Sequence, residues 1–565
     1  MENHKRIAIV GGGPSGLFMF KRLVESDRTN LSIDIFEKRE QLGAGLPYST
    51  AGANDEHITN VSGNEIPLLV TSIAEWIKSV PAQTLERFHI NEWFNDYKVL
   101  PRLLFGQYLS DQFALLIEKA KHAEINHKVY FNSPVTDIID HPNYVAVQVS
   151  NDQLFNFDIV IICTGHNWPV KHEGMVPGYF DSPYPPSKLK LELNHPVAIK
   201  GSSLTAVDAI RTLARHHGTF ERNDENTTFQ LNREYPNFKI VLHTRNGMLP
   251  AVRFHLEDSH LENDRLLTPE EIAAHISAND GFLSLDFVFE KDFKEIFRDK
   301  EPEFYQRIKH MSMEEFVDDM MDSRERLDPF QLLKAEYVEA EISIKRKESV
   351  YWKEMLGVLS FAMNYPAKHL SAEDMQRLQK VLLPLISIVI AYIPQSSAEE
   401  LLALHEACLL EIIPVGDDSK VEAQPDGGAV YHYDDQSVFY NTYVDCVGQP
   451  HLNYKDFPFK SLLAQKRVSP ARLQFKSAAE GKKAVMEGKD VEMDSTGAYF
   501  LHVSGITIND SFQVIDEYGA FNEHIYIMAV PYIGGYNPDY SGLDFCEEAS
   551  AAIIRNILNN ERADT

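Results

Sequence analysis

Cysteine is scarce in this chain of 565 residues, which contains four. Cys163, Cys408, Cys446 and Cys546 are far apart in the sequence and form no C-x-x-C pair. They indicate neither a disulfide framework nor a zinc site, so no bound metal is expected. Thiols without a disulfide pattern are typical of a reducing compartment, and the predicted location is therefore the cytoplasm.

Positive charge and long apolar runs are also limited. The chain has 54 Lys and Arg against 83 Asp and Glu, which gives a formal net charge of −29. A surface of that sign repels polyanions, so nucleic acid is not expected as a partner. The most apolar stretch, residues 381–393, is too short to span a bilayer, and the first residues show no signal-peptide pattern. We expect a soluble protein without a membrane partner.

Glycine, in contrast, follows a regular pattern near the N-terminus. The apolar segment 7–10 is followed by Gly11-x-Gly13-x-x-Gly16 and then by an apolar, helix-like stretch that begins with Pro14 and Ser15. In a strand–turn–helix unit these glycines allow a tight turn, approach of the backbone to a pyrophosphate, and close packing of helix on strand. The pattern predicts a dinucleotide-binding fold. A glycine-rich turn without a ligand is the alternative.

The end of the next predicted strand helps to identify the nucleotide. Glu37 lies about twenty residues after Gly16, where a carboxylate accepts hydrogen bonds from ribose hydroxyls. Because a carboxylate at this position disfavours a 2′-phosphate, the site suits FAD or NAD better than NADP.

Two following segments resemble a known family. Residues 37–48, which contain Lys38 and Gly45, and residues 101–109, which contain Arg102, are similar to the FAD/NAD(P)-binding family that includes YdhS-like bacterial proteins. This resemblance implies that the first fold holds FAD, and that Lys38, Gly45 and Arg102 contribute to its site.

A further segment, 58–66, resembles the one in flavin-containing monooxygenases where an Asn lies beside the flavin ring, which makes Asn60 a candidate catalytic residue. The alternative is a loop Asn that caps its own turn.

Two later segments resemble other parts of such flavoproteins. Val135 follows a predicted strand at the place where backbone groups surround the adenine. The apolar strand 157–163 ends in Thr164-Gly165, which is similar to the segment that links the FAD fold to the next domain. His166 follows directly and is a second catalytic candidate, although a His in such a loop also serves as a structural hydrogen-bonding group.

A second strand–turn–helix unit begins near residue 196, with Gly201-x-Ser203-Leu204-Thr205 in place of the glycine triad. Small residues still permit the approach of a ligand, so we predict an NAD(P)H site, with a fold that binds nothing as the alternative. The next strand ends at Arg245, which favours NADPH over NADH because a guanidinium binds a 2′-phosphate. Alternatively, Arg245 is a solvated surface charge.

The remaining sequence predicts a helical insertion and a return to the nucleotide folds. Residues 256–415 have apolar residues at helical spacing, with helix-start patterns at Ser371 and Ser396. Near the C-terminus, Gly534-Gly535 precedes a predicted helix. In the proteins that this chain resembles, such a turn lies at the flavin, and the positive end of the helix would face it.

The predicted fold class is therefore α/β, with two Rossmann-like dinucleotide-binding domains and a helical insertion. The expected divisions are 1–180 and 451–565 for the FAD domain, 190–255 and 425–450 for the NAD(P)H domain, and 256–415 for the insertion. The leading hypothesis is an FAD-dependent monooxygenase that is reduced by NADPH, or by NADH, and acts through an oxygenated flavin on a small molecule, with O₂ as the second substrate. The alternatives are a reductase that passes electrons to a quinone or a partner protein, and a non-catalytic flavin-binding interaction protein. The sequence indicates no oligomeric state.

Overall fold

The structure, a computed structural model, describes residues 4–26, 28–90, 94–223, 226–257, 266–449, 451–536 and 542–563. Within these ranges no helix is both long enough and apolar enough to cross a membrane. Two main sheets and a block of helices make up most of the fold, and the elements are numbered in chain order.

The first sheet is built around the N-terminal strand. In spatial order its strands are β5 (Asn126–Tyr130), β2 (Leu31–Phe36), β1 (Lys5–Val10), β9 (Ile159–Ile162), β24 (Phe521–Ile527) and β23 (Gln513–Ile515). All neighbours pair in parallel except β23 and β24. The central strand β9 is buried along its whole length, as expected of a parallel strand covered on both faces. Both ends of the chain therefore build one sheet.

The helices of this half begin with α1 (Pro14–Val24), which packs against α4 (Arg102–His122) and α18 (Gly542–Ala563). Helix α1 follows the glycine turn directly, and its residues 16–20 are all buried. The carboxyl ends of β1 and β9 and the start of α1 consequently meet at one edge of the sheet.

The second sheet has five parallel strands. In spatial order they are β10 (Tyr179–Phe180), β19 (Thr442–Asp445), β11 (Pro196–Lys200), β14 (Lys239–Thr244) and β15 (Leu410–Pro414). Helix α5 (Leu204–His217) follows β11 in the same way that α1 follows β1. Two strand–turn–helix units in parallel sheets, with helices inserted between their strands, confirm the predicted fold class.

Among the residues that the structure describes, ten α-helices lie between the strands β14 and β15. They are α6 (Pro269–Ala278), α7 (Leu285–Asp292), α8 (Phe297–Lys300), α9 (Pro302–Ile308), α10 (Met313–Glu325), α11 (Pro329–Arg346), α12 (Tyr351–Asn364), α13 (Ala372–Arg377), α14 (Leu383–Val389) and α15 (Gln395–Glu406). Ser371 caps α13, as its pattern predicts, by accepting a hydrogen bond from the Asp374 amide. Ser396 does not start a helix, because α15 already begins at Gln395, directly after Pro394.

Smaller elements complete the fold. The other helices are α2 (Ile73–Trp76), α3 (Ala82–Arg87), α16 (Lys460–Ala464) and α17 (Ala478–Met486). The small antiparallel sheets are β3 (Ile58–Ser62) with β4 (Val99–Pro101), β6 (Val135–His141) with β7 (Tyr144–Val149) and β8 (Leu154–Phe157), β12 (Gly218–Arg222) with β13 (Thr227–Leu231), β16 (Lys420–Ala423) with β17 (Ala429–Tyr433) and β18 (Gln436–Tyr440), and β20 (Pro470–Gln474) with β22 (Tyr499–Ile506) and β21 (Val491–Met493).

The helical block packs against both sheets. Buried side chains of α7, α10, α12 and α14 belong to the same apolar core as the first sheet, whereas those of α11 and α15 join the core of the second. A buried carboxylate strengthens the packing of the block against the second sheet's fold, because Glu400 on α15 accepts hydrogen bonds from Arg211 and Arg215 on α5. The block therefore lies over both nucleotide folds, where it can cover a site between them.

Candidate cofactor and substrate site

A cleft of about 360 Å³ lies at the carboxyl edge of the first sheet. Its walls come from the glycine turn, the end of β2, the loop after β9 and the start of α18. Of the residues predicted to bind FAD, those that line it are Gly11, Gly13, Pro14, Ser15, Glu37, Lys38, Gly45, Val135, Thr164 and Gly165. Ligands of open α/β sheets bind at this edge, where the strands end.

The glycine turn needs glycine for reasons that the backbone shows. Gly11 has φ +110°, and a Cβ on it would lie 2.7 Å from the Cys163 carbonyl oxygen. A Cβ on Gly16 would lie 2.1 Å from the Gly11 carbonyl oxygen, so Gly16 permits the close packing of α1 on the turn. Gly13 lies close to Gly45, whose Cα would be 3.3 Å from a Cβ on Gly13. A side chain on Gly11 or Gly16 would thus collide with backbone, and one on Gly13 would crowd Gly45 at the wall of the cleft.

The carboxylate of Glu37 is held in place at the cleft wall. It is buried and accepts hydrogen bonds from the Gly12 amide at 2.8 Å and from the Arg39 amide at 3.0 Å. Its position is therefore fixed by the backbone before any ligand arrives, as ribose recognition requires.

Two polar atoms in this cleft support a bound ligand. Thr164 Oγ1 and His166 Nδ1 are buried, and neither has a hydrogen-bond partner within the described ranges. Since buried polar atoms in proteins are nearly always paired, these two indicate that a polar ligand completes the site. Together with the glycine cradle and Glu37, they fit a dinucleotide such as FAD.

A second cavity, of about 600 Å³, adjoins the first. The residues that line both are Leu46, Pro47, Tyr48, His166, Gly542 and Leu543. Its far wall comes from the helical block, and the residues there are Gly357, Leu383, Ile386, Ser387, Ile390, Ala391 and Tyr392. We call it the insertion cavity. It is large enough for a small molecule and meets the cleft at His166.

Both candidate catalytic residues line the insertion cavity. The backbone carbonyl of Asn60 accepts a hydrogen bond from the buried guanidinium of Arg253, which also pairs with Glu65. Asn60 lies in the strand β3 and not in a loop, and this strand is thus fixed to the segment after β14. Burial lowers the pKa of His166, although a hydrogen bond with Gln449 opposes the effect. The imidazole is therefore neutral at neutral pH.

Arg102 has a different environment from the one predicted. It lines the insertion cavity and not the first cleft. Its Nη1 donates to Asp208 Oδ2 at 2.5 Å, and the Tyr184 hydroxyl donates to the same oxygen at 2.6 Å. Burial alone would raise the pKa of Asp208, but the charges of Arg102 and His57 and the hydrogen bonds from Tyr184 and Arg102 together outweigh it and keep the pKa below its usual value. The guanidinium therefore joins the two nucleotide folds.

The second glycine motif keeps the geometry of the first. Gly201 has φ +100°, and Ser203 precedes α5 without a hydrogen bond from its side chain to the helix end. Thr205 lines the insertion cavity, whereas Gly201, Ser203 and Leu204 line neither cavity. Arg245 follows β14 directly and is well exposed, with its Nη1 3.7 Å from Asp417 Oδ1.

The C-terminal glycine pair lies outside both cavities, although the sequence places it at the flavin. Gly534 and Gly535 line neither cavity. Gly535 packs on β22, where a Cβ would lie 2.5 Å from the Ser504 carbonyl oxygen, so its lack of a side chain serves packing. Gly542 and Leu543, which begin α18, instead reach the junction of the two cavities.

Among the polar lining residues that sequence reasoning missed are Tyr184, Gln449 and Asp544. Burial raises the pKa of Asp544 to about 7, and the carboxylates of Glu65, Glu548 and Glu547 add to the effect. The sequence did contain one indication that Asp544 belongs to the site, because it stands in the first turn of a predicted helix near glycines. Gln449 bonds the backbone of Asn167 in both directions, a contact across 282 residues that carries no local pattern.

Comparisons with known proteins agree with this geometry. A family model described as FAD-NAD(P)-binding matches residues 8–167, and one described as YdhS-like middle domain matches residues 268–390. The chain is 31% identical over 468 residues to the uncharacterized protein YdhS of Escherichia coli (strain K12). The aligned residues cover 82% of this chain and 86% of that protein.

Similar solved structures are more distant. The ornithine N-hydroxylase of Kutzneria sp. 744 has a TM-score of 0.45 at 14% identity, and the matched region covers 99% of this chain and 100% of the hydroxylase chain. The ornithine hydroxylase PvdA of Pseudomonas aeruginosa has a TM-score of 0.47 at 11% identity, with coverage of 98% and 99%. The bacillithiol disulfide reductase of Staphylococcus aureus has a TM-score of 0.42 at 11% identity, with 99% of each chain covered.

Proposed function

This chain belongs to the YdhS-like family of FAD-NAD(P)-binding proteins, and from that premise we propose that it is an FAD-dependent oxidoreductase that NADPH reduces and that oxygenates a small molecule. FAD, when bound, supplies electron exchange with the nicotinamide and the reaction with O₂. The chain itself supplies binding, orientation, proton handling and the exclusion of water.

The first cleft supports FAD as the resident cofactor. The turn at Gly11 and Gly13 would hold the pyrophosphate at the start of α1, and the fixed carboxylate of Glu37 would accept from the ribose. Thr164 Oγ1 would gain the partner that it lacks among the described residues.

The observation that carries the oxygenase proposal is the insertion cavity. It meets the cleft at His166 and Leu543, and apolar side chains of the helical block form its far wall. A small substrate enclosed there would lie beside the reactive end of the cofactor and away from bulk water, which suits oxygen transfer. In this proposal Asn60 orients the substrate or the nicotinamide, and His166 Nδ1 holds or moves a proton at the junction.

Oxygen transfer is tested with isotopically labelled oxygen gas. The purified, FAD-loaded chain is given NADPH and a panel of small amines, sulfides and ketones, and the products are examined by mass spectrometry. The proposal predicts a product that carries one labelled oxygen atom, with NADPH consumed in proportion. If NADPH is consumed and all the oxygen appears as hydrogen peroxide with every compound, the oxygenase proposal is wrong.

An electron-transfer reductase is the second candidate, and the apolar far wall of the insertion cavity favours it because a quinone would fit there. A dithiol relay is disfavoured, since burial raises the pKa of the Cys546 thiol to about 12 and keeps it protonated. Rapid reduction of a soluble quinone by NADPH, without any oxygenated product, would favour this reading.

The assignment of Arg245, in the fold of the second sheet, leads to a testable prediction about the choice between NADPH and NADH. Arg245 is exposed at the end of β14 and, in this proposal, binds the 2′-phosphate of NADPH. Because a hydrogen bond to a charged group contributes about 1.5–3 kcal/mol, Arg245→Ala is expected to raise the KM for NADPH by about 10- to 150-fold and to leave that for NADH unchanged. Steady-state kinetics with both cofactors measure the ratio.

Arg326 is a suitable control, since it is an exposed arginine at the end of α10, paired with Asp322. Arg326→Ala should change neither KM. Equal effects of Arg245→Ala on NADPH and NADH, or no effect on either, would contradict the assignment of Arg245.

A further inference from the structure

Three aromatic rings form one wall of the insertion cavity. His166, in the loop after β9, lines both the cofactor cleft and the insertion cavity, whereas Trp168 and Tyr184 line the insertion cavity alone. The ring centroids of His166 and Trp168 are 5.3 Å apart, and those of Trp168 and Tyr184 are 5.4 Å apart. Contacting rings therefore lead away from the cofactor cleft along this wall.

The indole of Trp168 reaches the carboxyl edge of the second sheet. Its Nε1 donates a hydrogen bond to the Gly448 carbonyl oxygen at 3.1 Å. Gly448 follows β19 with φ +100°, and a Cβ on it would lie 3.8 Å from Thr205 Oγ1 at the start of α5. Thr205 lines the insertion cavity as well. The indole is thus bonded to backbone that lies beside the second strand–turn–helix unit.

The segment after β19 is equivalent to the segment after β9 in the first fold. Each of these strands pairs with the strand that precedes a glycine turn, β11 and β1 respectively. A Cβ on Gly201 would lie 3.0 Å from the Cys446 carbonyl oxygen. In the same way, a Cβ on Gly11 would lie 2.7 Å from that of Cys163. Because Thr164, directly after Cys163, lines the cofactor cleft, the residues directly after Cys446 are expected to lie beside a nucleotide on the second fold.

The polar ends of the two larger rings are already bonded within the protein. The hydroxyl of Tyr184 donates to Asp208 Oδ2 at 2.6 Å, and the single donor of the Trp168 indole is used by Gly448. These bonds fix both side chains, and they leave aromatic surface as what Trp168 presents to the cavity. A ligand on this wall would therefore be recognised by the packing of a ring.

We propose that the nicotinamide ring of NADPH packs against the indole of Trp168, in the part of the insertion cavity between Thr205 and His166. This inference rests on the proposed function, because it names the residue that holds the nicotinamide in the same site. A nucleotide held at the second glycine turn would pass the segment after β19 to reach the indole. The ring would then lie next to the cofactor cleft, as its exchange of electrons with FAD requires.

The test compares two nucleotides that differ in the nicotinamide alone. The full, FAD-loaded, oxidised chain is titrated with NADP⁺ and with 2′-phospho-ADP-ribose, which lacks the nicotinamide, in isothermal titration calorimetry. Neither compound reduces the oxidised flavin, so binding is measured without turnover. We expect NADP⁺ to bind about 2- to 12-fold more tightly, which is the contribution of one aromatic pair.

Two variants separate the aromatic face of Trp168 from its hydrogen bond. Trp168→Phe and Trp168→Leu both lose the bond to Gly448, and both keep an apolar side chain, but only phenylalanine keeps a ring. Trp168→Phe should retain the preference for NADP⁺, and Trp168→Leu should lose it. The affinity for 2′-phospho-ADP-ribose should be unchanged in both. A structural role of Trp168 would instead alter the affinities for both nucleotides.

Trp352→Leu is the matched control, because Trp352 is a partly buried tryptophan of α12 that lines neither cavity, and it should behave as the unaltered chain. Equal affinities for the two nucleotides in the unaltered chain would overturn the proposal without any variant, and so would a preference that Trp168→Leu retains. Either result would leave the binding of NADPH itself intact. If neither nucleotide bound, the NADPH assignment of the proposed function would be wrong, and this inference with it.

Discussion

Gly165→Val is expected to give a folded protein that no longer retains FAD. A Cβ on Gly165 would meet no protein atom within 4 Å, and the residue lines the first cleft. A Cβ at this position therefore clashes with no described atom, and in the proposed site we expect the added side chain to compete with the cofactor for space. Overfilling a packed site costs about 1–3 kcal/mol, which corresponds to about 5- to 150-fold weaker FAD binding. Flavin absorbance per protein after gel filtration measures the loss.

The control for this substitution adds bulk elsewhere on the same sheet. Ala520 is exposed just before β24 and outside the cleft, so Ala520→Val should keep its flavin. The unfolding temperature of apoprotein should be equal for Gly165→Val and the unaltered chain. A Gly165→Val protein that retains a full complement of FAD would show that the cofactor does not lie in this cleft.

Asp208→Ala should destabilise the chain by about 3–5 kcal/mol, the second large effect that we expect. The carboxylate of Asp208 accepts from Arg102 and Tyr184, and the side chains of Arg102 and Asp208 are only 14% and 6% exposed. Removing it leaves a guanidinium buried between the two nucleotide folds without its counter-charge. The midpoint of urea unfolding, followed by tryptophan fluorescence, measures the change.

An exposed pair of the same types gives the comparison. Arg87 and Asp55 are 56% and 52% exposed, so Asp55→Ala should cost about 1 kcal/mol or less. Arg102→Met combined with Asp208→Leu should recover most of the stability, because no buried charge then remains. A loss below about 1 kcal/mol for Asp208→Ala would show that this ion pair does not hold the folds together.

The parts of the fold that sequence predicts are those with local causes. The turn at Gly11 requires a positive φ, a conformation that favours glycine and that the short turn between β1 and α1 itself imposes. The position of Glu37 follows from the end of β2, which directly precedes it. The helices of the block are predicted by apolar residues at helical spacing and by capping residues such as Ser371. Ser203 could replace glycine in the second motif because the tight φ falls on Gly201 alone.

The parts that sequence does not predict depend on distant contacts. Arg102 was assigned to FAD by resemblance, but Asp208, which is 106 residues away, holds its guanidinium. Gly534 and Gly535 were the visible glycine pair, yet Gly535 packs on β22, while Gly542 reaches the junction. Asp544 acquires its raised pKa chiefly from burial and then from the carboxylate of Glu65, which is distant in sequence, and neither effect is visible in local sequence.

The measurement that tests the central claim most directly is an anaerobic titration of the purified protein with NADPH, with the visible absorbance recorded throughout. If the chain is an FAD-dependent oxidoreductase, the protein is yellow as purified, and one equivalent of NADPH per flavin removes the visible absorbance before any oxygen is admitted. Absorbance that persists under excess NADPH, with FAD shown to be bound, would contradict the claim.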